Sequence, residues 1–210
     1  MNNFTDRKGI NLDITTKCTL QCIGCDRMFL NRKNPSLGLK RKEMSIKVFE
    51  KIIDHFSYVR FCGNLSDPIF HPHFITFLKK LYAQDKKALV HTAASHKKMS
   101  WYKEAFAAHP DARWKFGIDG LPHQSHLYRT NQDGEKLFKV MLMCKEMGLE
   151  TVWQYIIFSY NEDSIEEAQA IAAKHNIKIE ITKTHRYGTH FGGEWLKPSS
   201  ENIIKNYSNW

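Results

Sequence analysis

Ile10-Asn-Leu-Asp-Ile-Thr-Thr-Lys-Cys-Thr-Leu-Gln-Cys-Ile-Gly-Cys25 runs from a β-rich segment directly into three cysteines, Cys18, Cys22 and Cys25. Ile10–Ile14 is short, apolar and β-branched, which reads as a strand. The thiols then fall in the loop at the C-terminal end of that strand, where folds of parallel strands carry their chemistry. A helical reading competes, because positions i, i+4 and i+7 share a helix face and cysteine packs as a small hydrophobe. Gly24 inside the run, and a start that abuts a strand, speak against it.

The same strand-then-loop pattern recurs along the chain. Tyr58–Cys62, Leu89–Thr92, Trp114–Ile118, Val152–Phe158 and Ile177–Ile181 complete a set of six strand-like segments. Helical stripes lie between them. Ile46, Phe49, Ile52, Ile53 and Phe56 form one, and Phe74, Phe77, Leu78 and Leu81 another. A third helix is expected after Ser100 as N-cap, and a fourth from Glu135 to Met147, stopped by Gly148. A fifth opens at Ser164–Glu167, a capping box. Strands alternating with helices imply parallel β-α units in an α/β fold. Six units are too few for a complete eight-unit barrel, which leaves a partial (β/α)6 TIM-like barrel or a doubly wound sheet, and periodicity does not choose between them.

The chain has 210 residues, of which 42% are hydrophobic, enough for one domain with a substantial core. The expected core domain spans 8–182. Residues 183–210, with His185, His190, Glu194 and Trp195 and a short helical pattern around Glu201–Tyr207, read as a lid or packing arm. Charged residues make up 25% of the chain, no apolar run approaches ~18 residues, and the start MNNFTDRKG is polar. A soluble, cytoplasmic protein without a membrane span is expected. Lys and Arg exceed Asp and Glu by 31 to 22, a net +9 that favours anionic partners. Five cysteines without an export signal are expected to be reduced.

Three sulfurs in one loop suit a metal. The candidates are zinc, with one of eleven histidines as fourth ligand, or an iron-sulfur cluster. A four-iron cluster on three cysteines keeps one iron open to a small molecule, which points to catalysis. In the contrasting reading, a non-catalytic zinc module grips nucleic acid through the positive surface.

The Cys-x3-Cys-x2-Cys loop after the first strand resembles the signature of the radical S-adenosylmethionine (radical SAM) enzymes. The resemblance implies a [4Fe-4S] cluster on Cys18, Cys22 and Cys25, with S-adenosylmethionine chelated at the fourth iron. Reductive cleavage of that cofactor then yields a 5′-deoxyadenosyl radical that abstracts hydrogen from a substrate. Phe61-Cys-Gly-Asn-Leu-Ser-Asp-Pro68 resembles the family's Gly-rich stretch, which makes Gly63, Asn64 and Asp67 candidate cofactor contacts, with Asp67 in place of the usual Glu. Thr92 belongs to a segment similar to Thr-Asn-Gly, although Ala93 and Ala94 replace Asn and Gly. Gly117-Ile-Asp-Gly120 resembles Ser-x-Asp-Gly, with glycine in place of serine, and supplies Asp119. Tyr128-Arg129 matches a further pair, and Gln154 in the fifth strand is a plausible cofactor or substrate contact.

The resemblance covers 8–182 and is nearest to peptide-modifying and maturase members. It implies a reductant protein such as a flavodoxin or ferredoxin, and leaves the substrate open between a peptide, a nucleotide and another anionic molecule. Many such members carry further cysteines for auxiliary clusters. Here Cys62 and Cys144 stand outside the motif, so a single cluster is expected and both read as packing residues.

Overall fold

Alternation along each strand gives the sheet one apolar and one polar face. The computed structural model describes residues 9–33, 42–63, 65–184, 193–199 and 207. Its strands are β1 (Gly9–Asn11), β2 (Tyr58–Phe61), β3 (Lys87–Thr92), β4 (Arg113–Gly117), β5 (Glu150–Ile156) and β6 (Lys178–Thr182). The helices are α1 (Asp26–Lys33), α2 (Ile46–Ile53), α3 (Phe74–Ala83), α4 (Met99–Ala108), α5 (Gly134–Glu146) and α6 (Ile165–Lys174). All neighbouring strands pair parallel, in the order β1-β2-β3-β4-β5-β6. A doubly wound sheet reverses direction part-way, and this one does not. With right-handed crossovers, an order that never reverses sets every helix on the same face. The sheet is left open between β1 and β6, which makes it a partial barrel.

The helix-covered face is aromatic. Val59, Phe61, Val90, Trp114, Phe116, Trp153 and Tyr155 are fully buried on it. Phe49 of α2 stacks on Phe77 of α3 at 4.0 Å, Phe106 of α4 meets Trp114 edge-on at 4.8 Å, and Phe138 of α5 meets Trp153 at 5.4 Å. The opposite, inner face carries Arg60, His91, Lys115, Gln154 and Glu180, each one residue out of step with the apolar set.

Several local expectations need correction. Strand β1 ends at Asn11 rather than Ile14, because the chain turns away and Ile14 O accepts from Met44 N at 2.8 Å. Helix α4 starts at Met99 with Lys98 at the cap, so Ser100 lies inside the helix. Ser164 does occupy the N-cap of α6 but makes no cap bond, since its hydroxyl accepts from Gln124 Nε2 at 3.1 Å. Helix α1 buries no residue, so it carried no apolar stripe to announce it. In the tail, Gly193–Ser199 packs on the segment after β5: Ser159 N donates to Leu196 O at 3.0 Å, and Ser199 N to Glu162 Oε2 at 3.0 Å. Trp195 is 54% exposed there. His185, His190 and 201–206 lie outside the described residues. No helix among the described residues is long and apolar enough to cross a membrane.

Two outcomes follow from this packing. Trp114→Ala removes the ring on which Phe74, Phe106 and Phe116 converge, and urea unfolding should show a loss of about 3–5 kcal/mol. Glu180 behaves differently. Burial works against its charge, but hydrogen bonds from Lys115 and Lys178 more than offset this and hold its carboxyl at about 2. A carboxylate depressed below its unfolded value of about 4.3 stabilises the fold above that pH, and the contribution fades as pH falls toward the folded value. Glu180→Gln should therefore cost more stability at pH 7 than at pH 3 in paired unfolding curves.

Candidate cofactor site

The cysteine loop is held from two sides. On one, Asp67 N donates to Lys17 O at 3.0 Å, and Thr19 Oγ1 lies 2.8 Å from His96 Nδ1. On the other, Gln21 N donates to Thr130 O at 3.0 Å and Ile23 N to Tyr128 O at 3.3 Å. Leu20 is buried beneath, and Arg27 donates to its carbonyl. Cys25 O accepts from Phe29 N at 3.0 Å and so opens α1. The cysteines therefore do not share a helix face; two precede the helix and the third starts it.

Cys18, Cys22 and Cys25 all line one cavity of about 120 Å³ at the C-terminal ends of the strands. Gly63, Asp67, Thr92, Arg129 and Gln154 from the sequence reading line it too. Asp119 stands behind this wall, and Asn64 lies outside the described residues. Burial pushes the Cys18 thiol up to about 12 and the Cys22 thiol to about 11. Thiolates at those positions require a compensating cation, which a bound metal provides. No three His, Cys, Asp or Glu side chains among the described residues are placed to hold a single metal ion. That gives no support to the zinc module. Three soft donors spread over the wall of a cavity fit a larger body such as an iron-sulfur cluster.

Arg129 is the charged centre of the site. Its Nε lies 2.7 Å from Asp119 Oδ2, and its guanidinium also bonds Cys22. Burial pushes the Asp119 carboxyl up while Arg129 pulls it down, and Asp119 Oδ1 takes a further bond from Ile156 N at 2.9 Å. Burial likewise opposes the Arg129 charge, but Asp119 and Cys22 more than offset it and hold the guanidinium above its ordinary value. A Cβ built on Gly117 would sit 2.8 Å from Arg129 Nη2. Glycine at 117, where the motif it resembles has serine, thus makes room for this guanidinium.

Asp67 is a clamp between two strand ends. Its carboxylate accepts from Thr92 Oγ1 at 3.0 Å, Ala93 N at 2.9 Å, Ala94 N at 3.0 Å and Ile69 N at 3.3 Å. Both oxygens and the Thr92 hydroxyl are committed to one another, so their contribution at the site is to fix the loops after β2 and β3. Gln154 differs, since its Nε2 is buried without a partner at the cavity wall.

Three residues were missed or misread. Gln132 donates to Ala93 O at 2.6 Å and Gly117 O at 2.9 Å, tying the ends of β3 and β4; nothing in the sequence marks it. His91 lines the cavity from the inner face of β3, one residue out of step with the buried Val90. Cys144 is a packing residue as expected, fully buried in α5, whereas Cys62 is not: it lines the cavity beside His91, its Sγ 4.0 Å from Nδ1.

No family model matches the sequence, and no curated protein does. The fold, however, matches that of several solved structures. Streptococcus suis SuiB bound to S-adenosylmethionine superposes with a TM-score of 0.71 at 16% identity, over 92% of this chain and 44% of that one. Native anSMEcpe with bound AdoMet gives 0.62 at 14% identity, over 83% and 51%. Methylornithine synthase (PylB) gives 0.62 at 10% identity, over 83% and 52%. The chain spans about half the length of each.

Asp67→Asn turns an amide NH2 toward backbone donors that need an acceptor. A loss of ~1–3 kcal/mol is expected in urea unfolding, the cost of a buried donor left unmatched.

Proposed function

We propose that the chain is a radical SAM enzyme, with a [4Fe-4S] cluster on Cys18, Cys22 and Cys25 and S-adenosylmethionine beside it. The observation that carries this reading is the meeting of three thiols in one cavity at the C-terminal ends of an open six-stranded parallel barrel. When bound, the cluster supplies the electron that cleaves S-adenosylmethionine to methionine and the hydrogen-abstracting 5′-deoxyadenosyl radical. The S-adenosylmethionine bound by SuiB and anSMEcpe, which share the fold, supports that choice of cofactor.

The chain's own part is to hold and orient. Gly63 lines the cavity at the exit of β2 with a positive φ of 53°, in a turn so tight that a Cβ there would collide with the Ser66 carbonyl. Asp67 and Gln132 fix the exits of β3 and β4. Arg129, locked by Asp119, keeps a positive charge against Cys22 and offsets the thiolate that a cluster requires. Gln154 Nε2 offers an unused donor to a carbonyl, hydroxyl or carboxylate of the cofactor or substrate. A small reductant protein such as a flavodoxin or ferredoxin would provide the electron, in keeping with a soluble, cytoplasmic setting.

Anaerobic reconstitution should give about four irons and four sulfides per chain and, after reduction, 5′-deoxyadenosine from S-adenosylmethionine. Cys22→Ala should abolish both, while Cys144→Ala retains them. Stoichiometric zinc without labile sulfide would overturn the proposal.

A further inference from the structure

Toward the N-terminal ends of the strands, the inner face of the sheet holds a second cavity. Its volume is about 420 Å³, and Tyr58, Arg60, His91, Arg113, Lys115 and Glu180 line it. Small-molecule sites commonly measure ~300–1,000 Å³. Cys62 and His91 line both cavities, so the two share a wall.

The charge in this trough does not balance. Three cations, Arg60, Arg113 and Lys115, face one carboxylate, Glu180. That carboxylate is already taken by Lys115 at 2.5 Å, by Arg113 at 3.1 Å and by Lys178 at 2.8 Å from outside the trough. Arg113 reaches a second acid at the rim, Glu150, at 3.1 Å. Arg60 has no carboxylate partner among the described residues, and its Nε is buried without an acceptor. His91 Nε2 is likewise buried and unpartnered. Burial, aided by Lys115 and Arg60, keeps this imidazole neutral by holding it at about 3. Barrel interiors of this size are usually filled by packed, mostly apolar side chains, and buried donors without acceptors are costly. A ligand that brings negative charge satisfies the surplus and the orphaned Arg60 Nε–H, and takes a bond from His91 in its Nε2–H tautomer.

We infer that this trough seats the carboxylate or phosphate of a small organic anion, with Arg60 as its anchor and His91 Nε2 as a second contact. This rests on the function proposed above and names its substrate class. The planar guanidinium suits two-point contact with either group. The rest of the anchored molecule extends past Cys62 and His91 into the thiol-lined cavity, where hydrogen abstraction would take place.

Calorimetric titration of the reconstituted protein with inorganic phosphate and with succinate tests the inference. The wild type should bind at least one of them, the preferred anion telling phosphate from carboxylate. Arg60→Gln should weaken that binding by about tenfold or more, with Arg60→Lys in between. A second readout uses the thiol in the shared wall. The rate of alkylation of Cys62 by iodoacetate relative to neutral iodoacetamide, followed on its peptide by mass spectrometry, should fall several-fold in Arg60→Gln. Absence of binding by either anion, or affinities and a rate ratio unmoved by Arg60→Gln, would overturn the inference. Missing labile sulfide or 5′-deoxyadenosine would strike the enzymatic reading instead, and leaves the Cys62 ratio measurable on the same chain.

Discussion

A parallel sheet whose strands follow chain order can cover only one of its faces with its own helices, since every right-handed crossover lands on the same side. The rest of this structure depends on that constraint. The covered face collects the aromatic residues of β2, β4 and β5 and becomes the core. The other face curves inward and holds what the core cannot, namely Arg60, His91, Lys115, Gln154 and Glu180. Because the strands are parallel, their loops all exit at one rim, and the cysteine loop, the Gly63 turn and the Asp67 clamp meet there without any long excursion of the chain.

Charge at that rim is held in pairs rather than exposed. Asp119 has no accessible surface, and an isolated carboxylate there would be untenable; Arg129, the Ile156 amide and its own place between two strand ends make it affordable. The pair is directional as well as neutralising. With Nε tied to Asp119, the far end of the guanidinium is presented to Cys22 and to the space above Gly117. Asp67 follows the same logic without a cation, its charge met by backbone amides and a hydroxyl from the neighbouring strand end.

Much of this was legible in the sequence, for identifiable reasons. Six short apolar runs separated by helical stripes specify parallel β-α units, and the spacing of Cys18, Cys22 and Cys25 after the first run specifies the loop. What periodicity withheld was direction: a doubly wound sheet and a sequential barrel have the same alternation, and only strand order separates them. Local capping signals were weaker guides. Ser164 has the right spacing for a capping box, but Gln124 competes for its hydroxyl from across the loop. Gln132 was invisible because an amide that bridges two strand ends looks, in sequence, like any polar loop residue. Cys62 was misassigned because burial of a thiol in a strand and exposure of the same thiol to a cavity differ only in which face of the strand it occupies. The alternation Tyr58, Arg60, Cys62 already puts it with the polar set.

The departures from the motifs that the sequence resembles also make sense together. A serine at Gly117 would place its Cβ within 2.8 Å of Arg129, so serine and this placement of arginine exclude one another unless the guanidinium moves. Glycine there removes one hydroxyl from the cavity and admits a permanent cation in its place. The exchange alters the site's electrostatics in the same direction as Arg60 and Lys115 on the strands below; burial raises the Cys62 thiol, and these two cations pull it only part of the way back. Part of the chain's net +9 is therefore not a solvated coat but is turned inward, where low solvent access makes each charge count for more. An interior built this way offers its positive charge to whatever the trough receives.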